Sequence, residues 1–209
     1  MRILFEGDSI TDCGKNTTGG STISIGQGYA MLITAKLSAG SPGKYDFVND
    51  AISGSRVVDI YSRIKKGCWN YEPDVVSILV GINDVSHEIN ESNGVELDRF
   101  KNVYSMYVED TLKRLPDVKM MLMAPFVLKG SATEENWDIF YNGAMERAAA
   151  VEEIAKKYNQ IFIPLQDKFE EAEKLYPQPY WIADGVHPTP AGHQIIANAW
   201  LEAFDKYIK

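Results

Sequence analysis

Apolar residues along the chain fall into two alternating patterns. Short runs rich in Val, Ile, Leu and Phe are separated by longer stretches in which apolar positions recur at helical spacing. The short runs are Ile3-Leu4-Phe5, Tyr45 to Asn49, Asp74 to Val80, Val118 to Met123 and Ile161-Phe162-Ile163. The third is nearly continuous in Val, Ile and Leu, as expected for a strand covered on both faces. Helical patterning runs from about Gly28 to Ser38, from Arg56 to Ile64, and from Val95 to Leu115, where Pro116 stops it. A further helix is predicted over Glu134 to Tyr158, with Asn136, Asp138 and Glu146 on its polar side. The last runs from Pro190 to Tyr207, with proline at its start, where the missing N–H does no harm.

Five strands alternating with helices predict an α/β chain. The expected architecture is a three-layer α/β/α flavodoxin-like fold around a five-stranded parallel sheet. Neither a repeat nor a linker is visible, so residues 1–209 are expected to form a single domain. In open sheets of this kind, ligands bind beyond the carboxyl ends of the strands. Polar clusters follow the strands as that rule requires: Glu6 to Asp12 after the first, Asn49 to Ser55 after the second, and Gly81 to Asp84 after the third. Another polar stretch, Asp184 to Pro188, forms a loop before the last helix.

Composition narrows the partners. A net charge of -8 with no basic stripe argues against nucleic acid. The run Met1 to Phe5 is too short for a signal peptide, no stretch approaches a membrane span, and the expected location is cytoplasmic. Cys13 and Cys68 are expected to be two unpaired thiols, Cys13 lying near Ser9 and within reach of thiol reagents. The three histidines lack metal-ligand spacing, and no phosphate-binding glycine motif is present, so neither metal nor cofactor is expected. A homo-oligomer is compatible with the sequence.

The four clusters suit nucleophilic catalysis. A serine hydroxyl near neutral pH needs an adjacent base. His187 supplies an imidazole, and Asp184, three residues earlier, can fix its tautomer. Taken alone, Ser9 reads equally as a turn or capping residue, Gly54 as a turn glycine, and Asn83 as a loop-bracing residue. Asp8 and Asp84 are expected to brace their loops. His193 is an alternative base, though its place in the last helix favours a packing or capping role. His87 reads as a surface residue.

Taken together, Ser9, Gly54, Asn83 and His187, with Gly-Asp-Ser-Ile at residues 7–10, Gly-Ile-Asn-Asp at 81–84 and Asp-Gly-Val-His at 184–187, resemble the four blocks of the SGNH/GDSL hydrolase family. The first block departs little: Ile10 stands where the family name has leucine. The resemblance covers essentially the whole chain and implies an SGNH serine esterase without cofactor. Its triad would be Ser9, Asp184 and His187. Its oxyanion hole would combine the backbone N–H groups of Ser9 and Gly54 with the Asn83 side chain.

Longer matches, at residues 7–14, 77–85, 123–126 and 186–193, resemble the subgroup containing intracellular acetylxylan esterases. That likeness implies removal of acetyl groups from xylan-derived or related oligosaccharides. Trp69, Tyr180 and Trp181 are expected to form a sugar-binding platform, with Tyr71 and Tyr176 beside them; each also reads as a core or edge aromatic. The alternatives are a short-chain lipid, lysophospholipid or thioester acyl hydrolase, and a non-catalytic carbohydrate-binding protein on the same fold.

Overall fold

The computed structural model describes residues 1–16 and 25–209. Its five strands are β1 (Arg2–Gly7), β2 (Asp46–Asn49), β3 (Val75–Leu79), β4 (Lys119–Met123) and β5 (Ile161–Ile163). All pair in parallel, in the order β2-β1-β3-β4-β5. This is the expected α/β sheet. The chain leaves β1 towards β2 on one side and returns to β3 on the other, so the topological switch point lies between β1 and β3.

Continuous apolar strands serve both faces because successive side chains alternate. Ile3, Phe5, Val75, Leu79, Met121 and Met123 join one buried cluster; Leu4, Val76, Ile78, Met120 and Leu122 join the other. The first face is covered by α2 (Tyr29–Gly40) and α9 (Pro190–Tyr207), with Tyr29, Ile33, Trp200 and Phe204 fully buried. Ser77, the polar residue in β3, faces this layer and accepts a hydrogen bond from the Trp200 indole at 3.0 Å. Against the second face lie α3 (Val57–Ser62), α4 (Ile64–Gly67), α6 (Leu97–Arg114) and the C-terminal half of α7 (Trp137–Lys157).

Four departures from the predicted elements matter for the site. β1 continues through Glu6 and Gly7, because a central strand pairs on both sides and Gly7 still aligns with Leu79. The predicted helix from Arg56 to Ile64 is broken at Arg63, where ψ is 11°, into α3 and α4. Residues Ser9–Asp12 form a single helical turn, α1, and the expected loop at Gly81 to Asp84 instead starts a helix, α5 (Ile82–Glu91). The polar sequence of α5 obscured its spacing of Ile82, Val85 and Ile89. An unpredicted helix, α8 (Gln166–Glu173), is anchored by Phe169, whose ring stacks on Phe126 at 4.3 Å. Among the described residues, no helix is long and apolar enough to cross a membrane.

Candidate active site

Ser9 stands where β1 ends. Gly7 has φ of +156°, and a Cβ there would come within 2.3 Å of the Leu79 carbonyl, so only glycine lets β1 lie this close to the end of β3. Asp8 then caps α1, its carboxylate accepting the Ile10 N–H at 3.0 Å. This turns the chain and leaves Ser9 half-buried at the sheet edge.

Beside it lies the loop before α9. Ser9 Oγ is 3.0 Å from His187 Nε2, and His187 Nδ1 is 2.7 Å from Asp184 Oδ2. The other Asp184 oxygen accepts the backbone N–H groups of Val186 and His187 at 2.9 and 2.8 Å. Burial pushes the Asp184 carboxyl up, but the backbone and side-chain hydrogen bonds from His187 and that from Val186 outweigh it and hold it below the usual range. An ionised Asp184 takes the proton at Nδ1, which leaves the Nε2 lone pair for the Ser9 hydroxyl. The loop is held from behind by a segment that sequence patterning did not single out. Leu128 N–H donates to the Gly185 carbonyl at 2.9 Å, and Ala132 N–H to the Asp184 carbonyl at 2.8 Å. Thr133 Oγ1 ties this segment to itself through the Leu128 carbonyl.

Gly54 and Asn83 reach the same edge from β2 and β3. Asn83, in the first turn of α5, donates from Nδ2 to the Ser55 carbonyl at 3.2 Å. Gly54 has φ of +79°, a backbone conformation that favours glycine, and a Cβ built on it would meet nothing within 4 Å. The turn is pinned on both sides. Ser53 donates its N–H and hydroxyl to Asp12 Oδ2 at 3.0 and 2.8 Å, and Val57 N–H is shared by both Asp84 oxygens at 3.1 and 3.2 Å. Asp8 and Asp84 are thus bracing residues, as expected. Burial pushes each of them up to about 7.

The remaining polar and aromatic residues separate clearly. His193 is buried, and its Nδ1 accepts the Tyr29 N–H at 3.2 Å, so its proton sits on Nε2, 3.3 Å from Cys13 Sγ. Burial and the nearby His187 lower it to about 4. It packs α9 onto α2, and the ring placed on Ser9 is that of His187. His87 faces Glu91 along α5, 3.7 Å away. Cys13 and Cys68 are free thiols. Tyr180 is 54 % exposed and packs edge-on against both Tyr176 and Trp181, at 5.0 and 4.8 Å between ring centres. This ladder leads directly into the Asp184 loop. Trp69 does not belong with it. It precedes β3 and so lies where that strand enters the sheet, whereas Ser9 follows the exit of the parallel β1. Its indole donates to Thr111 at 3.2 Å, and its ring packs on the apolar cluster beneath α6. Tyr71 likewise spends its hydroxyl on Asp50, at 3.0 Å.

A cleft of about 330 Å³ opens beside Ser9, lined also by Ile10, Cys13, Gly14, Gln27, His187, Pro188 and His193. Among the described residues, no three His, Cys, Asp or Glu side chains converge in a way that would hold a metal ion.

A flavodoxin-like sheet with a serine, histidine and aspartate at its switch point defines a serine hydrolase site. The family comparison makes this specific: residues 5–195 match the GDSL-like Lipase/Acylhydrolase family, and the chain belongs to it. It is a GDSL-family esterase. An acetylxylan esterase of Geobacillus stearothermophilus is 36 % identical over 96 % of this chain and 92 % of its own length. A solved structure of such an enzyme from that organism, Axe2, superposes with a TM-score of 0.86 at 32 % identity, covering 97 % of this chain and 93 % of that one. A structure from Parabacteroides merdae, provisionally described as a GDSL-like lipase, gives a TM-score of 0.92 at 33 % identity over 98 % and 95 % of the two chains.

Proposed function

We propose that this protein is a serine esterase that removes short acyl groups, chiefly acetyl, from hydroxyls of xylan-derived or related oligosaccharides. One hydrogen-bonded line carries the assignment: Ser9 Oγ to His187 Nε2 at 3.0 Å, and His187 Nδ1 to Asp184 at 2.7 Å. Ser9 Oγ attacks the acetyl carbonyl as its proton passes to Nε2, and Asp184 stabilises the imidazolium. The negative charge on the former carbonyl oxygen is met by Ser9 N–H, Gly54 N–H and the second amide hydrogen of Asn83. Collapse breaks the bond to the sugar oxygen, which takes the proton from Nε2 and leaves as the alcohol. Water then enters, gives its proton to Nε2 and attacks the acetyl-serine, releasing acetate and restoring Ser9. The His187 side chain is 51 % exposed, so water reaches that nitrogen.

Four observations support the reading, the second for the triad and the others for the substrate. The two relatives from Geobacillus stearothermophilus are acetylxylan esterases. Among solved forms of Axe2, those called catalytic mutants replace a serine, an aspartate and a histidine, the last two three positions apart, the spacing of Asp184 and His187. The cleft beside Ser9, about 330 Å³, is at the small end of the usual range for ligand pockets. The ladder of Tyr176, Tyr180 and Trp181 offers apolar faces on which a sugar can pack its C–H bonds.

A substrate panel tests the proposal. Acetyl esters are expected to be cleaved faster than octanoyl esters, and acetylated xylo-oligosaccharide faster than lysophospholipid, with acetate as product. Preference for the longer or lipid substrate sinks the sugar assignment. Full activity in Ser9→Ala removes Ser9 as nucleophile, and an inactive intact protein that still binds the oligosaccharide is a binding module instead.

A further inference from the structure

Behind the Gly54 turn lies a polar pair, Glu6 fully buried and Arg63 largely so, that the proposed chemistry does not use. Glu6, fully buried in β1, holds Arg63 through Oε1 to Nη2 at 2.5 Å, and the same oxygen accepts the Gly7 N–H at 3.1 Å. Arg63 Nη1 donates to Ser55 Oγ at 3.1 Å. Ser55 is itself buried; its N–H closes the turn onto the Ile52 carbonyl at 3.1 Å, and its carbonyl is the group that holds Asn83 Nδ2. One guanidinium thus bridges the strand carrying Ser9 and the turn carrying Gly54 and the acceptor for Asn83. The surrounding backbone is shaped around the pair. A Cβ on Gly67, at the end of α4, would lie 2.6 Å from Asp50 Oδ2 and 3.1 Å from Glu6 Oε2. The helix break at Arg63 turns that side chain inward.

We propose that Arg63, anchored by Glu6, is a positioning residue that sets the Ser55 hinge and through it the orientation of Gly54 and the Asn83 amide. This inference rests on the assignment of Gly54 and Asn83 as oxyanion donors. Donors that must be aligned before the reaction lose much of their value when displaced by a fraction of an ångström, while substrate binding in the ground state is hardly touched.

The test is a mutant cycle on p-nitrophenyl acetate, with Arg63→Gln, Ser55→Ala and Asn83→Ala made singly and in pairs, and melting followed for each. Ser55→Ala keeps the backbone carbonyl and removes only the hydroxyl that Arg63 holds. Arg63→Gln and Ser55→Ala are each expected to lower kcat about 5- to 50-fold with KM within about twofold. In the Asn83→Ala background each is expected to cost clearly less than in the parent, since the part acting through Asn83 is already gone and only the part acting through Gly54 remains. Losses that multiply, or an equal loss appearing in KM, overturn the proposal. Should Arg63→Gln not fold, Ser55→Ala decides alone. A Ser55→Ala variant with unchanged kcat beside a damaging Asn83→Ala overturns the positioning role only. A loss below about fivefold in Asn83→Ala overturns the oxyanion assignment, and this proposal with it.

Discussion

Asp184 and His187 hold each other within one turn of chain, whereas the arm of the site that carries Gly54 and Asn83 is assembled from β1, the turn after β2, α3 and α5. In the first arm, one carboxylate accepts two backbone N–H groups and the ring N–H of a residue three positions away. In the second, one local bond closes the turn, Ser55 N–H to the Ile52 carbonyl, and the other restraints join distant segments: Ser53 to Asp12, Asn83 to Ser55, and Val57 to Asp84. The electrostatics follow the same division. Asp184, at the surface and surrounded by donors, is held low, while the buried Asp8 and Asp84 are pushed up to about 7. A local arm can lose its chemistry without disturbing the fold. An assembled arm cannot, because the contacts that orient it are also packing contacts.

The largest expected effect lies in the local arm. His187→Ala should lower kcat by roughly 10⁴- to 10⁶-fold, and Asp184→Asn by about 10⁴-fold, since the amide leaves the imidazole in the wrong tautomer. His187→Ala should melt within about 2 °C of the parent, as surface substitutions usually change stability by no more than about 0.5 kcal/mol. Asp184→Asn, which loses the charge but keeps an oxygen for the two backbone N–H groups, should melt only a few degrees lower. Steady-state kinetics with calorimetry on the same samples checks the pair of statements. A large fall in melting temperature in either variant would show that the loop is structural as well, and the contrast between the arms would be lost.

Asp84→Ala probes the other arm. It leaves the buried Val57 N–H without an acceptor, at about 1–3 kcal/mol, and frees the segment after Gly54. Melting temperature should fall by several degrees and kcat by about tenfold, with Asp84→Asn, which keeps an acceptor oxygen, recovering most of both. Activity lost without stability would make Asp84 resemble Asp184 and erase the distinction.

That distinction also decides what could be read in the sequence. The strands were legible because a parallel sheet covered on both faces demands continuous apolar runs, and the polar clusters behind them marked the edge where Ser9, Gly54 and Asn83 arrive. Asp184 and His187 were legible because their pairing is local. Arg63 was not: nothing in Ile60 to Ile64 says that one side chain of an expected continuous helix turns inward to Glu6. The bracing segment from Leu128 to Thr133 was missed for the same reason, since its bonds to the Asp184 loop span more than fifty residues. Trp69 was misplaced although the information was there. It precedes a strand, and strand entries lie opposite the edge where strand exits gather.

The buried carboxyls give a smaller, pH-dependent effect. A carboxyl raised in the folded state keeps its proton there after the unfolded chain has lost it, so the folded state binds more protons between about pH 4 and pH 7. Stability from Asp8 is therefore greatest below its ordinary range and declines as pH rises to about 7. Asp8→Asn keeps an oxygen for the Ile10 N–H and cannot ionise. The variant should melt close to the parent at pH 4 and above it at pH 8, with the gap opening between, on the order of a few kcal/mol at most. Melts across that interval settle it. A gap independent of pH would mean that Asp8 is ionised throughout, and that the assembled arm tolerates buried charge as the local arm tolerates exposed charge.

The finest discrimination concerns the aromatic residues, where the two arms meet the substrate unequally. Tyr180 belongs to the ladder that runs into the Asp184 loop, and its ring is more than half exposed. Trp69 packs at the opposite edge with its indole satisfied by Thr111. Removing a stacking face that touches only the sugar weakens binding of the oligosaccharide and leaves a small aryl acetate unaffected. Tyr180→Ala should thus raise KM for acetylated xylo-oligosaccharide about three- to tenfold, a value of roughly 1 kcal/mol for an exposed aromatic contact, with p-nitrophenyl acetate unchanged. Trp69→Phe should change neither substrate by more than about twofold, while costing about 1 kcal/mol of stability for the lost hydrogen bond. Equal behaviour of the two variants on the oligosaccharide would break the division of the molecule into a strand-exit edge that binds and a strand-entry edge that only packs. A KM effect confined to Tyr180 would put the sugar on the side of Ser9 where the aromatic ladder runs into the Asp184 loop.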